Sequence, residues 1–214
     1  MNLLLAGATG LIGQAVAGQW QGPGTLHRLV RRPGAPGAAH QQVHVVDFQA
    51  LPPLPRCDAA LCALGTTLAL AGSQAAFRAV DFDAVLAFAR AAQAAGATRL
   101  AVVSALKADA RSASFYSRVK GEMEAAVTAL GFDTLLIARP SLLTGNRAAL
   151  GQPRRPLEHL AMQIVAPFAA LVPLAWRPVA GQTVARALLR SLAQAGPGVH
   201  MLDNAALHQR GKPP

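Results

Sequence analysis

Cysteine, tyrosine and tryptophan are scarce in this chain of 214 residues. It contains two cysteines, one tyrosine and two tryptophans. Cys57 and Cys62 are too few for a disulfide framework and are not spaced as a CxxC motif, so we expect reduced core residues. The few aromatic side chains offer little stacking surface for nucleic-acid bases. The six histidines are scattered without metal-ligand spacing, so no metal site is predicted.

Acidic residues are half as numerous as basic ones, ten against twenty, and the formal net charge is +10. A basic surface can bind nucleic acid by releasing counterions from its phosphates. The lysines and arginines are spread along the chain, however, and the longest clusters are pairs such as Arg31-Arg32 and Arg154-Arg155. We therefore expect no nucleic-acid partner, and we assign part of the charge to an anionic cofactor or substrate.

Long hydrophobic runs are also missing. The most apolar segment, residues 164–176, is too short to span a bilayer and contains two prolines. The N-terminal stretch MNLLLAGATGLIGQAV has no basic residue before Arg28, and three glycines interrupt it, which argues against an export signal. These features predict a cytoplasmic protein without a membrane span.

Short apolar runs alternate with longer helical patterns along the chain. Strands are predicted at residues 2–6, 26–31, 43–47, 59–63, 99–104, 134–138 and 199–202. Helices are predicted at residues 11–20, 74–95, 114–130 and 181–194, with one or two more before about residue 172. Strands joined by helical crossovers predict an α/β fold with a doubly wound, mostly parallel Rossmann sheet. We expect one domain, 1–214, whose residues 141–180 and C-terminal helices form a small substrate side.

Three glycines with GxxGxxG spacing lie between the first predicted strand and the first predicted helix. The first glycine allows a tight turn, the second lets a pyrophosphate approach the backbone, and the third lets the helix pack closely on the sheet. The start of the helix supplies free backbone N–H groups for the phosphates. The cofactor-binding residues predicted here are Gly7, Thr9, Gly10, Leu11, Ile12 and Gly13.

The end of the second predicted strand indicates which nicotinamide cofactor binds. An acidic residue there binds the ribose 2′-hydroxyl of NAD, whereas arginine accommodates the 2′-phosphate of NADP. The strand ends in RLVRR and no acid precedes Asp47, so Arg31 and Arg32 predict NADP(H). Asp47 either accepts a hydrogen bond from the adenine amino group or only ends its strand. Leu64 and Gly65 lie in the small loop ALGTT, which would contact the adenosine half of the cofactor.

The stretch VVSALKADARSASFYSRVKGEME carries the predicted chemistry. Tyr116, the only tyrosine, precedes Lys120 by four residues, so both side chains lie on one face of a helix. A nearby ammonium stabilises a phenolate and helps the phenol donate a proton to a carbonyl oxygen. Ser104, at the carboxyl end of a strand, can donate a hydrogen bond to the same oxygen. These residues predict a Ser-Tyr-Lys triad that reduces a carbonyl.

The segments GATGLIG, CALGTT, YSRVKGEME and ARPSLLTGNR resemble the atypical, NADP-binding branch of the short-chain dehydrogenase/reductase superfamily, which includes the Tat-interacting oxidoreductase-like proteins. The resemblance covers nearly the whole chain. It implies the three glycines on the pyrophosphate, Arg31 and Arg32 on the 2′-phosphate, and Lys120 also on the nicotinamide ribose. Many relatives have an asparagine before the fifth strand that holds a proton-relay water, and this chain has Asp81 there.

Three functions fit these motifs. The first is NADPH-dependent reduction of the carbonyl of a small molecule, a fairly apolar one because residues 141–180 are rich in apolar side chains. The second is an NADP(H)-binding redox sensor with little turnover, which some members of the branch are. The third is a nucleotide-sugar epimerase, although the 75 residues after Arg139 leave little room for a nucleotide-sugar lobe. The serine, tyrosine and lysine favour the reductase.

Overall fold

A parallel β-sheet forms the centre of the fold. The structure is a computed structural model that describes residues 1–33, 37–145 and 172–213. The sheet's seven described strands are β1 (Leu3–Ala6), β2 (Leu26–Val30), β3 (Gln41–Val45), β4 (Ala59–Cys62), β5 (Arg99–Val103), β6 (Thr134–Ala138) and β9 (Gly198–Leu202). They form the sheet in the order β3-β2-β1-β4-β5-β6-β9, and every neighbouring pair is parallel. The predicted α/β doubly wound fold is confirmed.

Helices cover both faces of this sheet. The described helices are α1 (Leu11–Gln19), α2 (Leu68–Ala71), α3 (Gln74–Arg78), α4 (Ala84–Ala94), α5 (Phe115–Thr128), α6 (Gly181–Gln194) and α7 (Asn204–Arg210). A π turn, Ala79–Asp83, joins α3 to α4, so the helix predicted at 74–95 is continuous to Ala94 but changes its hydrogen-bond pattern in its interior. The prediction missed α2 and α7 because four and seven residues are too few to show a helical apolar period.

Both faces of the central strands are buried, as their continuous apolar sequences require. In β1, Leu3 and Leu5 pack in a core with α1 and α6, whereas Leu4 and Ala6 pack in a second core with α4 and α5. All four side chains are fully buried. Burying a leucine side chain stabilises the folded state by roughly 1.5–3 kcal/mol. The two cores therefore fix the position of β1 and of the residues that follow it.

The strand order creates a crevice at the carboxyl ends of β1 and β4. Chain order runs from β1 to β3 in one direction and from β4 to β6 in the other, and ligands bind where this direction reverses. Gly7 directly follows β1, residues 63–67 follow β4, and Ser104 follows β5. The Ala63 N–H donates to the Ala6 carbonyl at 2.9 Å, which holds the first two connections side by side.

The edge strand β3 lies two residues earlier than predicted. Its pairing with β2 begins where Leu26 faces Gln41, and it ends before Asp47. In an edge strand, backbone pairing decides the bounds, so the polar Gln41 and Gln42 can belong to it even though they break the apolar pattern. The described residues between β2 and β3 contain no helix, and part of the α1 side of these strands is left uncovered, although Leu26 and Val30 are buried there.

The C-terminal part of the described chain packs beside the glycine turn. A two-stranded parallel pair, β7 (Leu143–Thr144) with β8 (Val179–Ala180), stands apart from the main sheet. The buried Asn204 side chain accepts from the Ser141 N–H at 2.9 Å and donates to the Arg177 carbonyl at 2.8 Å. The helices predicted before residue 172 and the pair Arg154-Arg155 lie outside the described residues. No helix in the described ranges has the length and apolarity needed to cross a bilayer.

Candidate functional site

Glycine is needed at the three positions of the turn for different structural reasons. Gly7 has φ +77°, and a Cβ there would overlap the Ala63 carbonyl. A Cβ on Gly13 would overlap the Gly7 carbonyl and Ala8 Cα, so the protein's own packing requires both glycines. A Cβ on Gly10 would meet only the Gly7 carbonyl oxygen, at 3.3 Å. Gly10 therefore leaves open backbone that a ligand can approach.

The first turn of α1 faces this open backbone. Gly10 is the residue before the helix and provides no side-chain cap for its N–H groups. Ile12 is buried in the core, and the Leu11 side chain lies against Gly145 and Gly181. Both predicted cofactor residues therefore face the crevice through their backbone, where helix N–H groups favour an anion.

A cleft of about 810 Å³ lies between α1 and the uncovered side of β2 and β3. None of its described lining residues is acidic. The lining comprises Thr9, Gln14, Ala17, Gly18, Arg28, Val30, Arg31, Arg32, Pro33, Gly37, Ala38, Gln41 and Val43. Three arginines and no described carboxylate give the lining of this cleft a positive charge, which suits an anion.

Arg28 was not predicted as a site residue. Its Nε is buried without a hydrogen-bond partner among the described residues, and its Nη1 lies 3.4 Å from Gln41 Oε1. A buried donor without a partner costs about 1–3 kcal/mol, and a bound anion would remove that cost. The available signal in the sequence is an arginine in the middle of the strand LHRLV.

Lys120 and Asp81 form a buried ion pair at the other end of the crevice. Lys120 Nζ lies 2.8 Å from Asp81 Oδ1, and the two side chains are 4% and 1% exposed. The second oxygen, Asp81 Oδ2, accepts from the Thr66 N–H at 2.8 Å. A Cβ on Gly65 would lie 3.4 Å from Asp81 Oδ1 and 3.9 Å from Lys120 Nζ. The structure thus brings together two predicted residues, Lys120 and Gly65, and adds Asp81 and Thr66.

Tyr116 and Ser104 lie on the elements that border this end. Tyr116 is half-buried in the first turn of α5, on the Lys120 face, with its ring centroid 5.5 Å from that of Phe77. Ser104 follows β5 and is 5% exposed, and its Oγ has no hydrogen-bond partner among the described residues. Buried hydroxyls are normally bonded, so an oxygen from a ligand would complete this one.

Two further predicted positions, Asp47 and Leu64, and the nearby Lys107 make contacts of their own. Asp47 is exposed, and its carboxylate accepts from the Gln49 N–H at 2.9 Å, which is the contact of a local turn. Leu64 packs against the core next to Cys62. The Cys62 thiol is fully buried, and this burial raises its pKa to about 12. Lys107 is exposed, with its ammonium 4.7 Å from the Trp176 ring centroid.

The described residues contain no group of three or more histidine, cysteine, aspartate or glutamate side chains that could hold a metal ion.

Known proteins resemble this chain in sequence and in fold. No family model matches it. The rat protein HTATIP2 is 38% identical over 176 residues, 78% of this chain and 69% of that protein. The mitochondrial protein fmp52 of Aspergillus niger is 32% identical over 186 residues, 80% of this chain and 75% of that protein. The solved structure of MoeE5 in complex with UDP-glucose and NAD has a TM-score of 0.71 at 17% identity, covering 94% of this chain and 75% of that one.

The relatives and the geometry agree on the family. Both relatives exceed 30% identity over two thirds or more of their own length, and the MoeE5 structure shares the fold. The glycine turn, the loop after β4 and α5 meet at one crevice of that fold. The chain belongs to the atypical, NAD(P)-binding branch of the short-chain dehydrogenase/reductase superfamily, together with HTATIP2 and FMP52.

Proposed function

We propose that this protein is an NADPH-dependent oxidoreductase that reduces the carbonyl of a fairly apolar aldehyde, ketone or quinone. One observation carries the proposal: the buried Lys120 ammonium lies beside Gly65 and on the same face of α5 as the only tyrosine of the chain. An ammonium in this position favours negative charge on the Tyr116 oxygen. The Ser104 hydroxyl, which has no hydrogen-bond partner among the described residues, supplies a second donor at the carboxyl end of the neighbouring strand.

The residues present fit an NADP(H) molecule. The open backbone at Gly10 and the uncapped start of α1 fit the pyrophosphate, since a Cβ at Gly10 would narrow that space. Arg31 and Arg32, with Arg28, fit the 2′-phosphate because they line a cleft without a described acid. When bound, the cofactor supplies a hydride to the carbonyl carbon.

The chain's own side chains have distinct roles in this proposal. Tyr116 donates its phenolic proton to the carbonyl oxygen, and Lys120 stabilises the charge left on the phenol. Ser104 donates a hydrogen bond to the same carbonyl oxygen and holds it in place. Lys120 also binds the nicotinamide ribose hydroxyls, since it lies next to the Gly65 loop.

We further propose that residues 1–214 act as one domain, with residues 141–180 and the C-terminal helices on the substrate side. Supporting this, Leu11 at the glycine turn contacts Gly145 and Gly181, which flank the part of this region outside the described residues. We propose a cytoplasmic location, whereas the fungal relative is named as a mitochondrial protein. Immunofluorescence or fractionation of the tagged protein tests this.

Loss of the Tyr116 hydroxyl tests the chemistry. Tyr116→Phe should bind NADPH with unchanged affinity and lose about 10²-fold or more in turnover, because only the proton donor is removed. Ser104→Ala should also keep the cofactor and lose about 10²-fold, because one donor to the carbonyl oxygen is missing. The measurement is NADPH oxidation against aldehydes, ketones and quinones, beside calorimetric titration of NADPH. Undiminished turnover by Tyr116→Phe would refute the mechanism.

A redox-sensing function is the second candidate, and one contact favours it. The Asp81 carboxylate offsets the charge of Lys120, so less positive charge acts on Tyr116. A sensor would bind NADPH tightly and turn over no carbonyl on the panel. Limited proteolysis with NADPH and with NADP⁺ should then give different fragment patterns.

A further inference from the structure

We propose that Asp81 is a cofactor-positioning residue, which holds Lys120 and the loop of residues 64–67 in the arrangement that NADP(H) binds. The proposal rests on the cofactor assigned above. It holds whether the protein turns its cofactor over or senses it, because it concerns binding alone.

The two oxygens of one carboxylate join three segments of the chain. Asp81 Oδ1 pairs with Lys120 Nζ on α5, and Asp81 Oδ2 accepts from the Thr66 N–H in the loop after β4, each at 2.8 Å. Asp81 itself lies in the π turn between α3 and α4. Removing this carboxylate would leave a buried ammonium and a backbone N–H without their acceptor.

The place of Asp81 in the fold argues for more than a stabilising role. It lies in a buried stripe between Phe77 and Val85, where an apolar residue would pack. Burying an ion pair costs desolvation that its attraction often fails to repay, so stability alone is a weak reason for the pair. The π turn around Asp81 also supports a functional role, because π turns within helices are frequent at functional sites.

The ion pair lies next to the Gly65 backbone, in the loop that follows β4. Gly65 has no side chain to cover the pair, as the short distances from a hypothetical Cβ to both partners show. Lys120 therefore meets the crevice with its ammonium already oriented by Asp81. The Gly65 backbone is held by the bond from the neighbouring Thr66 to the same carboxylate. Such preorganisation reduces the entropy lost when a ligand binds.

Two substitutions separate the two contacts. Asp81→Asn keeps an oxygen for the Thr66 N–H and removes the charge that orients Lys120, so the NADPH Kd should rise about tenfold. Asp81→Ala removes both contacts, and the Kd should rise about 10²-fold. Titration calorimetry gives the affinities, and thermal unfolding without cofactor reports folding. If Asp81→Ala does not fold, Asp81→Asn still gives the result.

A matched control breaks another ion pair on the same helix. Glu124 is buried and pairs with Arg139, so Glu124→Gln should lower the unfolding temperature as Asp81→Asn does. The control should keep the NADPH Kd within about twofold, because Glu124 contacts neither Lys120 nor the 64–67 loop in the described bonds. Equal losses of NADPH affinity in Glu124→Gln and Asp81→Asn would overturn the proposal.

The route through Lys120 is tested in a Lys120→Met background. If Asp81 acts on the cofactor through Lys120, adding Asp81→Asn to Lys120→Met should weaken NADPH binding no further. An additional tenfold loss would overturn that route. Normal NADPH binding by the Asp81 variants, when the parent binds well, would reject this inference alone. Failure of the parent to bind NADPH or NADH would reject the proposed function and this inference together.

Discussion

The two ends of the crevice carry positive charge in opposite ways. At one end, the Lys120 ammonium is 4% exposed and paired with Asp81. At the other end, Arg31 and Arg32 are exposed, and no described acid lines their cleft. A buried charge is tolerated only when it is paired, whereas an exposed charge is solvated by water until a ligand binds.

This difference fits the separate roles proposed for the two ends. The closed end has its groups oriented before any ligand arrives, which suits a step that depends on the position of a proton donor. The open end offers guanidinium groups that no described carboxylate neutralises, which suit attraction and selection of a phosphate. Four predictions, from the largest expected effect to the smallest, test this contrast.

The glycine turn lies between the two ends, and substitutions there should have the largest effect. Gly10→Val should fold and lose detectable NADPH binding, because its side chain would fill the pyrophosphate space. Gly13→Val should fail to fold, because its Cβ would collide with the Gly7 carbonyl and Ala8. Circular dichroism and thermal shift with NADPH separate the two outcomes. A Gly10→Val protein that NADPH still stabilises like the parent would contradict the assignment of the turn.

The exposed arginines should set the preference for NADPH over NADH. The double variant Arg31→Ala/Arg32→Ala should lose at least about tenfold of that preference, because each charge-assisted contact to a phosphate contributes about 1.5–3 kcal/mol. Calorimetric titration of both cofactors measures the ratio. Arg90→Ala, an exposed arginine on α4, is the control and should keep the ratio. An unchanged ratio in the double variant would leave the open end without its assigned role.

Arg28 should contribute less, because it lies inside β2 rather than at its end. Arg28→Lys keeps the charge and removes the forked guanidinium, so NADPH affinity should fall about two- to tenfold. NADH affinity should stay the same, since NADH lacks the 2′-phosphate. Titration of both cofactors against the same protein preparation gives the comparison. Equal losses for NADPH and NADH would indicate a general disturbance of the cleft.

Chemical probes should report the closed and open ends with little effect on the protein. Burial raises the pKa of Cys62 to about 12, and burial together with Asp58 raises that of Cys57 to about 11. Both thiols therefore stay protonated from pH 7 to 9, and a disulfide reagent should react only after unfolding in urea. Phenylglyoxal should modify Arg31 and Arg32 in the folded protein, and NADPH should protect them. Rapid reaction of Cys62 in the native state would show that the closed end opens, whereas Cys57 lies at the other end of β4 and reports only on the core there.

Local patterns allowed much of the fold to be predicted. The helix at residues 181–194 and the strand at 134–138 coincide with the structure. In both, the pattern of apolar residues continues from the first residue to the last, and tertiary contacts do not change their bounds. The π turn at Ala79–Asp83 was not predictable, because it leaves the apolar stripe of the helix intact while changing its hydrogen bonds. The bounds of β3 also depended on pairing with β2 rather than on its own residues.

The sequence by itself determined the residue types of the site and their local geometry. Gly7, Gly10 and Gly13 form one turn, and Tyr116 and Lys120 share one helix face, because these relations span only a few residues. Only the tertiary structure decided that Asp81 pairs with Lys120 and that Arg28 lines the same cleft as Arg31 and Arg32. The crossovers of a parallel sheet bring such distant residues together, and which side chain then finds a partner depends on packing that no local period records.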